Sequence, residues 1–130
     1  MPNKNYIRGR NTEYKCKAHL TAKGYYTMRT AGSHSNFDII ALSKQNLLLV
    51  QLKRTKTIPK TKMGWDKFKK KYKGRCVRLY NTMEEYLPDN AYACIWVWMD
   101  ARGWLQIYHR KTDSHHYLDT KNRNLMEWDK

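Results

Sequence analysis

Two apolar runs of strand length lie four residues apart in this chain: Phe37-Asp38-Ile39-Ile40-Ala41-Leu42 and Leu47-Leu48-Leu49-Val50-Gln51-Leu52-Lys53. The segment between them, Ser43-Lys44-Gln45-Asn46, is a tight turn, so the pair predicts an antiparallel hairpin. Polar residues interrupt both runs. Asp38 lies inside the first, and Gln51 and Lys53 break the second. Residues two apart share a strand face, so Gln51 and Lys53 point the same way, as do Asp38, Ile40 and Leu42. Residues 1–80 carry only three acids, Glu13, Asp38 and Asp66, in a strongly basic background.

The flanking sequence supplies a helix and one more strand. Residues 5–23 read as a helix closed by Gly24, with Gly9, Glu13, Cys16 and Leu20 on one stripe. A lone glutamate there either hangs off the stripe into solvent or faces the site. Tyr25-Tyr26-Thr27-Met28-Arg29 is β-prone, giving a helix followed by a three-stranded meander. Beyond a loop over 55–64, a basic helix is expected over about 65–72, a short strand over 75–80 and a helical turn over 82–87 stopped by Pro88. A final strand pair spans 92–99 and 104–109. Residues 112–130 read as a polar, weakly ordered tail, leaving a core of about 5–111 within one domain, 1–130.

Composition narrows the class. The 41% hydrophobic and 13% aromatic content supports a folded protein. A formal charge of +15 implies a polyanionic partner. Nucleic acid fits better than membrane, because no apolar run approaches the ~20 residues of a spanning helix. No secretory signal is read at Met1-Pro2-Asn3-Lys4-Asn5, so the expected location is the cytoplasm, on the nucleoid, with a viral or phage origin open. Cys16, Cys76 and Cys94 match neither a disulfide framework nor a zinc set and read as reduced thiols filling core volume. His115-His116 reads as a solvated pair before it reads as a metal site.

Burying an isolated carboxylate is costly or drives its protonation, and a divalent cation removes that problem. Mg²⁺ takes oxygen ligands, keeps several waters and is commonly held by one or two carboxylates. Glu13, Asp38, the Gln51 side-chain oxygen and the Leu52 carbonyl meet that demand. Lys53 would then lie near a scissile phosphate. A buried Asp38–Lys53 salt bridge with Gln51 as bystander explains the same residues equally well.

Five stretches carry a family resemblance: Arg8-Gly9 ahead of Glu13, Arg29-Thr30-Ala31-Gly32-Ser33, Phe37-Asp38-Ile39-Ile40-Ala41, Leu49-Val50-Gln51-Leu52-Lys53 and Gly103-Trp104. In this order they resemble the archaeal-type Holliday junction resolvases of the PD-(D/E)XK nuclease superfamily, closely over residues 8–54 and more weakly to about residue 110. The resemblance implies an α/β restriction-endonuclease-like fold, a central mixed β-sheet flanked by helices. It implies an Mg²⁺-dependent endodeoxyribonuclease, with Mn²⁺ as a substitute, that resolves branched double-stranded DNA as a homodimer, leaving 5′-phosphate and 3′-hydroxyl ends. Glu13, Asp38, Gln51 and Lys53 then form the catalytic set, with Ser33 in support and water as nucleophile. Three positions depart from the family pattern. Gln51 replaces the usual glutamate, Tyr14 replaces an arginine after the helical acid, and Phe37 replaces a proline.

Residues 53–73 hold ten basic residues against Asp66 alone. Beside a nuclease motif this run reads as a DNA track, with Arg54, Lys56, Lys67, Lys69, Lys70 and Lys71 as contacts and Arg8, Arg10 and Arg29 as phosphate clamps. Trp65, Phe68 and Tyr72 read as core before base stacking. Cys94, Trp96 and Trp98 share one strand face and Ile95, Val97 and Met99 the other; both are apolar enough that one is expected to meet a second protomer. Two alternatives stay open. One is a nuclease of the same fold acting on nicked, mismatched or linear duplex; the other is a DNA-binding module that does not cut.

Overall fold

A computed structural model describes residues 4–30, 36–100 and 102–120, with side chains for 10–30, 36–100 and 102–118. Helix α1 (Lys4–Ala22) ends at Gly24, whose φ of +96° is the left-handed conformation glycine adopts without penalty. Gly24 N–H donates to the Thr21 carbonyl at 3.0 Å and Tyr25 N–H to the Leu20 carbonyl at 3.1 Å, which satisfies the last turn in the Schellman manner. The buried stripe of α1 runs through Thr12, Cys16 and Leu20. Glu13 therefore lies at its rim.

Strands β1 (Tyr26–Arg29), β2 (Ile39–Leu42) and β3 (Leu47–Thr55) form the expected antiparallel meander. The second strand starts at Ile39, so Asp38 lies just ahead of it. Its amide donates to the Val50 carbonyl at 2.8 Å, while its own carbonyl accepts from Thr30 at 3.0 Å. Asp38 thus ties both flanking strands where they part.

After β3 the chain departs from expectation. Residues 65–72 belong to one long helix, α2 (Lys62–Met83), capped by the Thr61 hydroxyl, which accepts from Gly64 N–H at 3.0 Å. The expected strand over 75–80 is part of it. Trp65, Phe68, Tyr72, Cys76, Leu79 and Met83 recur at three and four residues, and burial of that stripe outweighs the cost of Gly74 at mid-helix. A single 3-10 turn, Glu84–Tyr86, follows and stops before Pro88.

Strand β4 (Ala91–Met99) runs parallel to β3, and β5 (Gly103–Arg110) returns antiparallel. The stretch read as a weakly ordered tail contains a further strand, β6 (Asp113–Thr120), paired along β5. Asp113 anchors it. It accepts from the Tyr92 hydroxyl at 2.5 Å and from Arg110 and Thr112, and it pairs with His115. His115 is thereby held by a carboxylate rather than solvated alone. The result is one six-stranded mixed sheet in the order β1-β2-β3-β4-β5-β6.

Both faces of β4 are covered by this chain itself, which removes the argument that one of them awaits a partner. Cys94 and Trp96 pack with Cys16, Leu20, Ile39 and Ala41 beneath α1. Ile95, Val97 and Met99 pack with Trp65, Tyr72 and Cys76 beneath α2. Trp65, Phe68 and Tyr72 meet edge to face at centroid separations of 5.7 and 5.1 Å, as core rather than as a stacking platform. All three cysteines are free and buried, as expected.

Candidate active site

Asp38 meets Leu52 where β2 begins and β3 continues past it, with Gln51 and Lys53 on the same stretch of β3. Asp38 Oδ2 accepts the Leu52 N–H at 2.8 Å. In a ladder, alternate residues turn N–H and carbonyl toward one neighbour. Val50 gives its carbonyl to Asp38, so Leu52 presents its own carbonyl to the same edge, on the side of the Asp38 carboxylate. Burial lifts the Cys16 thiol well above its ordinary range and the Asp38 charge adds to the rise. The Asp38 charge is thus felt at Cys16 on α1, and Glu13 lies about one helical turn before Cys16.

Gln51 and Lys53 emerge from β3 on the α2 face, opposite Val50 and Leu52. The Gln51 amide nitrogen donates to the Asn36 carbonyl at 3.1 Å, which orients the amide and leaves its oxygen as the acceptor. Lys53 is half-buried. Since α2 lies mainly across β4 and β5, it leaves this part of β3 at its margin. Among the described residues, the ion pairs do not join Asp38 to Lys53, so the simple salt-bridge alternative is not formed.

Glu13 is engaged by Arg29. Its Oε2 accepts from Arg29 Nη2 at 3.0 Å, and Arg29 stands opposite Ile39 on the ladder, one step from Asp38. Tyr14, where the family pattern has arginine, is the surface on which two arginines rest. Arg29 lies over its ring with Cζ 5.6 Å from the centroid, and Arg10 with Cζ at 5.5 Å. Arg10 Nε also donates to the Tyr14 hydroxyl at 2.9 Å.

Among the described residues no three His, Cys, Asp or Glu side chains converge as a metal cluster. The available donors are two carboxylates, one amide oxygen and one peptide carbonyl. This hard set suits Mg²⁺ or Mn²⁺ and offers nothing to thiophilic ions. Ser33 lies outside the described residues, as does the side chain of Arg8.

The basic track is only partly as expected. Lys67, Lys70 and Lys71 are exposed on α2 and Lys69 is half-buried; Lys69, Lys70 and Lys73 line a cavity of about 260 Å³ against β5 and β6. Arg54 is held bidentately by Asp100, at 2.8 and 3.1 Å, so it reads as a strut between β3 and the β4–β5 turn. Beyond the end of β3, Lys56, Lys60 and Arg102 line a cleft of about 500 Å³ with Trp65 at its wall. Lys60 and Arg102 went unrecognised in the sequence: Lys60 carried no signal beyond the basic run, and Arg102 lies far along the chain. Tyr14 had a signal, its place directly after Glu13 where the family pattern has arginine, that pointed to loss of a contact rather than to arginine stacking.

A mixed six-stranded sheet with α1 on one face and α2 on the other is a restriction-endonuclease-like α/β fold. A family model described as archaeal Holliday junction resolvase (Hjc) matches residues 4–70, and the chain belongs to that family. The match takes in α1, the meander and the start of α2, hence Glu13, Asp38, Gln51 and Lys53. No curated protein matches. Among solved structures the chain is similar to Hjc of Archaeoglobus fulgidus, a Holliday junction resolvase from an archaeal hyperthermophile. Identity is 16% and the TM-score 0.50, with 86% of this chain and 84% of that one covered; this likeness speaks for the fold. Among the described residues no helix is long and apolar enough to cross a membrane.

Proposed function

We propose that this protein cuts branched duplex DNA at four-way junctions by metal-assisted hydrolysis, acting as a homodimer that offers one site to each of two opposed strands. The observation that carries the reading is the Asp38–Leu52 contact with Gln51 and Lys53 on the adjoining strand. It brings one carboxylate against the stretch of β3 that carries Gln51, Leu52 and Lys53, which supports a hard-cation site there with Glu13 supplied from α1. Asp38, the Gln51 oxygen, the Leu52 carbonyl and Glu13 would hold Mg²⁺ or Mn²⁺, and a bound cation supplies charge neutralisation at the phosphate and a more acidic water. Lys53 offsets the charge that develops on the phosphoryl oxygens. Arg10, Arg29 and the Lys56–Lys60–Arg102 cleft hold flanking phosphates, and the exposed lysines of α2 extend the track.

The test is a labelled four-way junction incubated with the protein, with and without Mg²⁺ or Mn²⁺, the cuts mapped on both strands. Symmetric nicks near the branch point, lost in Asp38→Asn, are the expected result. Equal cutting of linear duplex would assign the chain to another nuclease activity of this fold. Tight binding with no nick under either metal would make it a binding module, the alternative that Gln51 in place of glutamate keeps open.

A further inference from the structure

Arg29 occupies the carboxylate that the proposed site asks for. Arg29 takes a lone pair of Glu13 Oε2 and sets a positive charge beside the carboxylate, so it opposes a cation at Glu13 both at the shared oxygen and by like-charge repulsion. The contact is close, 3.0 Å, with the arginine 35% and the glutamate 20% exposed. Arg29 is also held by a second group, the Tyr14 ring, and that ring carries Arg10 as well. Tyr14 is itself 46% exposed. Two guanidinium groups thus share one partly exposed aromatic ring, and Arg29 is also paired to Glu13.

We propose that Arg29, positioned by Tyr14, is a DNA-responsive latch on Glu13. In the free protein Arg29 keeps Glu13 from the cation. A DNA phosphate that takes Arg29 releases Glu13 to complete the cation site. The exchange is open to a phosphate because Arg29 holds Glu13 through a single nitrogen, whereas a guanidinium can bond phosphate through two. Tyr14 carries Arg10 as well as Arg29, which adds positive charge to the place where a phosphate would take Arg29. By reciprocity, junction and cation then tighten one another. The idea rests on Glu13 being a cation ligand, and it adds the condition under which that ligand becomes available.

Two double-mutant cycles on the full chain test it, using wild type, Glu13→Gln, Arg29→Met and the double variant. In the first, Mn²⁺ binding is titrated without DNA. Glu13→Gln should change Mn²⁺ affinity by less than about twofold when Arg29 is present and weaken it by about fivefold or more in Arg29→Met. In the second, junction binding is measured in EDTA. Glu13→Gln should tighten binding by about threefold or more when Arg29 is present, and by clearly less in Arg29→Met. Tyr14→Leu should shrink both couplings and Tyr14→Phe should restore most of them, since the ring rather than the hydroxyl holds Arg29. Additive effects in either cycle overturn the latch. Asp38→Asn separates the two failures: if it weakens Mn²⁺ binding while the cycles are additive, only the latch is wrong. If it too leaves Mn²⁺ binding unchanged, the cation site itself falls and the latch with it.

Discussion

At the scale of single residues, Asp38 and Gln51 carry the sharpest expectations. Asp38→Asn removes a charge that would ligate the cation but keeps the shape that receives the Leu52 N–H. Cleavage should fall on the order of a hundredfold or more, while junction binding holds or tightens, because a charge repelling phosphate has gone; single-turnover cleavage and a binding isotherm measure the two. Gln51→Glu should lower the Mg²⁺ concentration needed for half-maximal cleavage, since a carboxylate binds a hard cation better than an amide. Gln51→Leu, which also loses the bond to Asn36, should cost about tenfold or more. Wild-type rates for Gln51→Leu at every Mg²⁺ concentration would remove Gln51 from the ligand set. These positions were legible in the sequence because polar groups inside apolar strands demand a reason. Arg54 was not, because its partner Asp100 lies beyond α2. The Arg29–Tyr14 contact was hidden for the same reason, since it joins a strand to the preceding helix.

At the scale of elements, α2 tests both stability and binding. A Cβ at Gly74 would meet nothing nearer than Arg78 Nη1 at 3.8 Å, an ordinary contact at the tip of a flexible side chain. Gly74→Ala should therefore stabilise the fold by about 0.5–1 kcal/mol, read as a higher midpoint in urea. Neutralising Lys69, Lys70 and Lys71 together should flatten the salt dependence of junction binding by about 0.9 per lost phosphate contact on a log–log plot. An unchanged slope would move the DNA track to the Lys56–Lys60–Arg102 cleft. The meander was legible because its apolar runs and turn agree on one register. The length of α2 was not, since clustered lysines and Gly74 mask a stripe that only burial against β4 and β5 makes decisive. Strand β6 was masked differently: of its described side chains only Leu118 enters the core cluster, so little apolar alternation marks it.

At the scale of the whole molecule, Asp113 joins β4, β5 and β6 and makes stability acid-sensitive. The Tyr92 hydroxyl, followed by the Arg110 guanidinium, holds its carboxyl well below the usual carboxylate range. Tyr92 remains the donor throughout, because burial and then its bond to Asp113 push its hydroxyl up to about 12. A carboxyl whose folded pKa is depressed stabilises fully above its unfolded value, about 3.9. That contribution is lost as pH falls below it toward the folded value. Between pH 5 and pH 2.5, Asp113→Asn should thus lose less thermal stability than wild type, as circular dichroism melts would show; equal losses would mean the Asp113 contacts are not held in solution. The parallel seam between β3 and β4 has a kinetic consequence. Each flanking meander closes through connections local in sequence, but the seam cannot zip until α2 and its loops have brought distant segments together. Folding should therefore run as two local events followed by a slower docking. The donors at Asp38 and Leu52 belong to the first meander, whereas the Arg54–Asp100 strut spans the seam, so its formation would report the moment the two halves join.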